Sequence, residues 1–328
     1  MSFRSLLRAL RFDGLWWRKF AYLGSVYGPE WWKRYSPPWI AAIIFCCVGR
    51  NRRGAVANMR RVLGTRGVLR DYWHGLRVFV GFAHSMNEAL ECFGPRPRTL
   101  SFEEPPDDPI GSALAEGRGV ILITCHFGNW EVAARTLARY TRPLNLVMAR
   151  EANETTADYV RQACEQAGIR VLLSDRSVYG PFDILRALRR NEIVALQLDR
   201  PLGGDGARAV EFFGAPAFFQ TGALQLARLA GAPVLPVFVV RLAPRRYRIV
   251  LGSKRRVARA ASREGMDGTL SAIVNEFEAL VRQYPEQWFQ FAPFWPADTP
   301  AAAGVLPSAR PVPERPRATR PLSSGGLR

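Results

Sequence analysis

Two residues in this chain, His126 and Glu131, have the types and spacing to work as a general base and the carboxylate that orients it. They close the stretch Gly119-Val-Ile-Leu-Ile-Thr-Cys-His-Phe-Gly-Asn-Trp-Glu131, and the chain has only three histidines, His74, His84 and His126. The apolar run Val120–Ile123 predicts a buried strand that ends in a turn holding His126 and Gly128. Residues five apart on one helix point about 140° apart. The pair therefore meets only if His126 sits in the turn and Glu131 in the first turn of a following helix, which Asn129 would cap. In that arrangement Glu131 fixes the imidazole tautomer while the second ring nitrogen takes a proton from a substrate hydroxyl. The alternative is a structural histidine at a strand end. Cys125 lies beside His126, but neighbours on an extended chain face opposite ways, so it reads as a small buried hydrophobe and not as a nucleophile.

Further polar groups follow other expected strands. Gln197-Leu-Asp-Arg-Pro-Leu-Gly-Gly-Asp-Gly206 runs a strand into Asp199-Arg200 and a glycine-rich loop, then the aromatic hairpin segment Val210–Pro216. Asp199 and Arg200 would anchor a polar headgroup or position the base. The alternative is an ordinary turn with an exposed ion pair. The loop lacks the Gly-Lys-Ser/Thr of a Walker phosphate site. Arg150 follows the expected strand 144–149, where it would bind phosphate or carboxylate bidentately or simply face solvent. Pro233 and Pro236 bracket a strand start, as at an edge or a rigid lead into a sheet. His84 and Glu88 have the spacing of a helix-surface pair, and no His/Cys spacing suggests a metal.

These residues require a scaffold that brings strand ends together. From residue 112 the pattern alternates helix and strand: strands over 120–124, 144–149, 171–173, 193–198, 234–240 and 248–251, with helices between them and a last helix over 269–284. That predicts an α/β fold, with a mixed, largely parallel central sheet flanked by helices and a helical membrane-associated region at the N-terminus. Ligands gather at the carboxyl ends of such strands, so His126, Arg150 and Asp199 converge on one crevice. Three regions are expected: a basic, aromatic-rich membrane-associating helical region over 1–70, an α/β domain over 71–296, and a disordered Pro/Arg-rich tail over 297–328.

Charge and composition narrow the partners. The net charge is +18, and residues 1–70 carry fourteen Lys/Arg against two Asp/Glu, so acidic partners are expected. Trp16, Trp17, Trp31, Trp32 and Trp39, with basic flanks, surround the apolar segment Trp39–Val48. That segment is shorter than the roughly 20 residues needed to span a bilayer. Tryptophan beside Lys/Arg suits a membrane interface; the alternative is a buried helix with a solvated basic face. The same interleaving, with no zinc-finger or RNA-binding signature, argues against nucleic acid. No signal peptide is expected. Five cysteines without CxxC spacing point to reduced thiols.

The order His126-x4-Glu131, Arg150, Asp199-Arg200, Pro233-Val-Leu-Pro236 resembles the lysophospholipid acyltransferase superfamily. Within it, Cys-His-Phe-Gly-Asn-Trp-Glu, Glu211-Phe-Phe-Gly-Ala-Pro216, Thr221-Gly222 and Gly231-Ala-Pro233 are similar to the bacterial lipid A late acyltransferases of the lauroyl/myristoyl type. The related phosphatidylinositol mannoside acyltransferases are similar in the same way. The resemblance covers residues 50–295 and implies an O-acyltransferase with His126 as general base and Glu131 as its dyad partner, Glu standing where much of the superfamily has Asp. It implies that Arg150 and Asp199-Arg200 contact the acceptor headgroup or support the base, and that amides near Asn129 stabilise the oxyanion. It further implies an acyl thioester donor (acyl carrier protein or CoA), no cofactor, and a lipid A precursor or related glycolipid as acceptor. Phosphoinositol mannosides, lysophospholipids and amino-lipids remain alternatives, and a non-catalytic basic membrane-binding protein is the reading from another class. Peripheral or monotopic attachment at the cytoplasmic face of the inner membrane, on anionic lipids, is expected.

Overall fold

A computed structural model describes residues 15–92, 99–137, 140–148, 164–165, 168–173, 180–200 and 206–296. Arg150, most of the glycine-rich loop after Arg200, most of the helix expected between the strands 144–149 and 171–173, and the tail from 297 lie outside the described residues. Among the described residues four helices come first: α1 (Leu15–Tyr27), α2 (Glu30–Cys47), α3 (Gly49–Leu63) and α4 (Val68–Cys92). The alternation follows: β1 (Ser101–Glu103), α5 (Pro109–Leu114), β2 (Val120–Thr124), α6 (Trp130–Leu137), β3 (Leu144–Met148), β4 (Ile169–Leu173), α7 (Gly180–Arg189) and β5 (Ile193–Gln197). A hairpin, β6 (Ala207–Phe212) with β7 (Ala215–Gln220), precedes α8 (Gly222–Ala230), β8 (Val234–Ala243), β9 (Arg246–Leu251) and α9 (Arg263–Gln283).

Seven strands form one sheet in the order β1-β9-β8-β2-β5-β3-β4, parallel from β8 to β4, with β9 reversed against β8. The fold is therefore mixed α/β, as expected. β2 is buried at every position because both faces are covered. Ile121 and Ile123 pack in a cluster with Leu188 of α7 and Leu270, Ile273 and Phe277 of α9. Val120 and Leu122 pack with Ile110, Ala113 and Leu114 of α5. β8 lies between β9 and β2, so the proline-bracketed strand is not an edge. Pro236 faces Ile123 of β2, and the ladder to β9 begins only at Val237, which is how an interior strand accommodates a residue without an N–H.

Of these first helices, α4 packs on the sheet, Ala89 and Cys92 clustering with Val239 and Tyr247, and α1 and α2 pack on α4. α2 runs antiparallel to α4, with Lys33 Nζ 3.0 Å from Glu91 Oε1 at one end and the rings of Phe45 and Phe79 5.2 Å apart at the other. The apolar segment expected from Trp39 is the second half of α2, and among the described residues no helix is long and apolar enough to cross a membrane. α3 contributes Met59 and Val62 to the main core. Its Asn58 donates to the carbonyls of Gln290 (2.9 Å) and Ala292 (2.8 Å) and accepts from the Phe294 amide (3.0 Å). The strap after α9 is thus clamped between α3 and the sheet.

Candidate active site

The turn after β2 is built by its neighbours on both sides. The Asn129 amide donates to the Val239 carbonyl of β8 at 3.2 Å, and the Gly128 amide donates to the Gln287 carbonyl at 2.8 Å. The Phe289 amide donates to the His126 carbonyl at 2.8 Å. Gly128 holds φ +59°, and a Cβ there would stand 1.7 Å from the Val239 oxygen, so the turn needs glycine for both conformation and space. Phe127 is fully buried edge-on to Phe238 and Phe277. His126 is held between β8 and the strap, its side chain 15% exposed.

Asp199 follows β5, the neighbour of β2, and reaches the same turn. Its Oδ1 lies 2.9 Å from His126 Nδ1, and the His126 amide donates to both carboxylate oxygens at 3.0 Å. The indole Nε1 of Trp288 donates to Oδ2 at 3.1 Å, and Gln290 Nε2 donates to the Asp199 carbonyl at 3.2 Å. Asp199 is completely buried. Burial opposes its ionisation, but the His126 charge and the hydrogen bonds from His126 and Trp288 outweigh that and hold the carboxyl below its usual value. An ionised carboxylate only accepts, so Nδ1 carries the proton and Nε2 is the basic nitrogen. Such an arrangement is chemically able to serve as a general base with a buried orienter.

The expected residues divide accordingly. Asp199, not Glu131, occupies the orienter's position on Nδ1. Asp199 is therefore buried beneath the base, out of reach of a headgroup, and Arg200 beside it is exposed. Glu131 does lie in the first turn of α6, half-buried, and burial pushes its carboxyl up to about 7. Asn129 is not free to meet substrate. Its side-chain nitrogen donates to the Ser85 carbonyl (3.0 Å) and the Tyr247 hydroxyl (2.9 Å), and its amide is committed to Val239, so the oxyanion contact expected near it does not come from Asn129 itself. Behind it, Tyr247 donates to Glu88, which also takes Arg241 Nη2 at 2.7 Å; Glu88 is a buried anchor and not half of a surface pair with His84. Cys125 is buried, and burial and the Asp199 charge push its thiol up, away from nucleophilic use.

Trp288, Gln290 and Gln287 had no sequence signal. Gln-Trp-Phe-Gln follows a helix with no spacing that points across some ninety positions to Asp199. An indole N–H near an aromatic-rich segment reads only as core.

The model of a family described as bacterial lipid A biosynthesis acyltransferase matches residues 101–296. The chain belongs to this family. The phosphatidylinositol mannoside acyltransferase of Mycobacterium tuberculosis is 28% identical over 192 residues, 58% of this chain and 59% of that protein. Its namesake in Mycolicibacterium smegmatis is 29% identical over 194 residues, 58% and 61% of the two. The matched part of the chain thus spans about three fifths of these relatives. The stretch shared with the lipid A acyltransferase family contains His126, Glu131, Asp199 and Trp288, while Ser85 and Asn58, which brace the turn and the strap, precede it.

Proposed function

We propose that this protein is a membrane-associated O-acyltransferase that moves a fatty acyl group from a thioester to a hydroxyl of a glycolipid. The observation that carries the reading is the 2.9 Å contact between His126 Nδ1 and the buried Asp199 carboxylate at the carboxyl ends of parallel strands. Nε2 takes the proton of the acceptor hydroxyl as its oxygen attacks the thioester carbonyl. The tetrahedral adduct collapses, the C–S bond breaks, and the imidazolium returns the proton to the departing thiolate. Asp199 holds the imidazole and balances its charge without being protonated. The donor is already activated, so no protein nucleophile and no cofactor are needed. The donor is an acyl carrier protein or CoA thioester. Arg200 and Arg150 are assigned to the anionic headgroup of the acceptor.

A lipid A precursor is the leading acceptor, in keeping with the family. The similarity to phosphatidylinositol mannoside acyltransferases favours a phosphoinositol mannoside as the second reading. The membrane assignment rests on α2. Lys33, Pro37, Ala41 and Phe45 make its inner stripe, whereas Trp31, Tyr35, Trp39 and Ile43, two residues out of step, point to the opposite side and are exposed, Trp39 at 74%. A helix with an apolar outer face needs a second apolar phase. Leu69 and Trp73 at the start of α4 are exposed as well. With exposed Arg34, Arg50 and Arg53 nearby, the surface suits the cytoplasmic face of an anionic membrane, with peripheral or monotopic attachment. Purified protein offered labelled acyl carrier protein and acyl-CoA with lipid A precursors, phosphoinositol mannosides and lysophospholipids tests the reading. Transfer by the wild type that vanishes in His126→Ala is expected; equal transfer by both proteins overturns it.

A further inference from the structure

We propose that Trp288 is a positioning residue for acyl transfer, its indole N–H gripping one oxygen of Asp199 so that the other stays aligned on His126 Nδ1. The inference rests on the acyl-transfer reading and adds a residue that no spacing in the sequence announces. A carboxylate rotates about a broad two-fold torsion, and the His126 amide, 3.0 Å from both oxygens, does not by itself choose between orientations. The indole does choose: it lies 3.1 Å from Oδ2, leaving Oδ1 for the ring of His126. Trp288 is itself immobile. It has no exposed surface and stands edge-on to Phe294, Phe212 and Trp295 at 5.0, 5.5 and 5.8 Å. The strap that carries it also bonds both partners through backbone and amide groups, Phe289 to the His126 carbonyl and Gln290 to the Asp199 carbonyl. Phenylalanine would fill most of the same space, so the N–H is the feature that packing does not require. Trp295 supplies an internal contrast, since it occupies the same aromatic cage but sends its N–H to the Phe212 carbonyl.

The test compares Trp288→Phe and Trp295→Phe with the wild type, by kcat, KM and the pH profile of kcat/KM, with thermal unfolding as the folding control. For Trp288→Phe, kcat should fall about 10- to 100-fold, the scale of a lost hydrogen bond to a charged group, with KM unchanged. Its acid limb should move to higher pH, because a carboxylate without the indole is more basic and holds the imidazolium more tightly. Trp295→Phe should stay near the wild type. Added to Asp199→Asn, Trp288→Phe should cost little more, because both act through one carboxylate. A folded Trp288→Phe with unchanged kcat and acid limb overturns the proposal, as does an equal loss in Trp295→Phe or losses that simply multiply in the double variant. If Trp288→Phe does not fold, ring-labelled tryptophan decides: an indole N–H resonance that shifts in Asp199→Asn supports the contact, and one that stays put overturns it. Wild-type protein that transfers no acyl group sinks the acyl-transfer reading instead, while the indole resonance still reports on the contact.

Discussion

At the carboxyl ends of β2 and β5, the His126 amide and Nδ1, both Asp199 oxygens, the Asn129 side-chain nitrogen and the Trp288 indole all find partners inside the protein. On the outer side of α2 the reverse holds: Trp31, Tyr35, Trp39 and Ile43 stand in the open although the opposite stripe of the same helix is packed. One rule produces both. Polar groups taken out of water must be bonded within the protein, and apolar groups left in water gain by leaving it. Asp199 and its surroundings are bonded from within, whereas the outer α2 face stays exposed among the described residues. The site geometry should therefore be sensitive to single polar atoms, and the α2 face to apolar area alone.

The largest break in that comparison is His126→Ala, which should lower kcat by about 10⁴-fold, the upper range for a lost general base, in a transfer assay. Asp199→Asn should cost about 10³-fold, because an amide can present its N–H to Nδ1 and impose the wrong tautomer. Glu131→Gln should cost under about 10-fold, so a loss equal to that of Asp199→Asn would return the orienter's role to Glu131. Gly128→Ala sharpens the site half in another way. The new Cβ meets the Val239 oxygen at 1.7 Å with φ at +59°, and denaturant unfolding should show a loss of about 3 kcal/mol or more. For the α2 face, Trp31→Ser with Trp39→Ser should weaken sedimentation with anionic vesicles about 100-fold or more, the scale of two large apolar side chains, with the unfolding temperature nearly unchanged. A drop in stability instead would make α2 a buried helix rather than a membrane face.

A further effect concerns pH. Burial raises the Glu131 carboxyl from 4.5 to about 7, so the folded protein holds a proton that the unfolded chain releases. Its contribution to stability is full below about pH 4.5 and is lost as pH rises through about 7. Glu131→Gln should remove that slope between pH 5 and 8 in denaturant midpoints, and an unchanged slope would place the carboxyl in water.

Much of this was legible because it depends on local pattern. Apolar runs that end at His126 and near Asp199, with helical spacing between them, yield parallel strands whose carboxyl ends meet. The basic, tryptophan-rich start of the chain marks the surface half of the comparison. The choice between carboxylates was not legible. Glu131 is near His126 in sequence and Asp199 is 73 positions away, but β5 lies directly beside β2, with Thr124 in register with Gln197. Register carries Asp199 to the imidazole, and the helical start at Trp130 carries Glu131 elsewhere. The proline-bracketed strand failed as an edge for a related reason: the ladder that Pro236 would interrupt starts one residue later.

The sequence by itself determined the α/β class, the strand whose end delivers a histidine, and the basic aromatic character of the first helices, since these follow from residue periodicity, turn chemistry and charge. Only the tertiary structure decided which carboxylate orients that histidine, that Asn129 braces the turn, and that an indole from the far end of the chain holds the carboxylate in place. Those outcomes depend on which polar groups share a buried space, and burial is settled by packing between segments that the sequence keeps far apart.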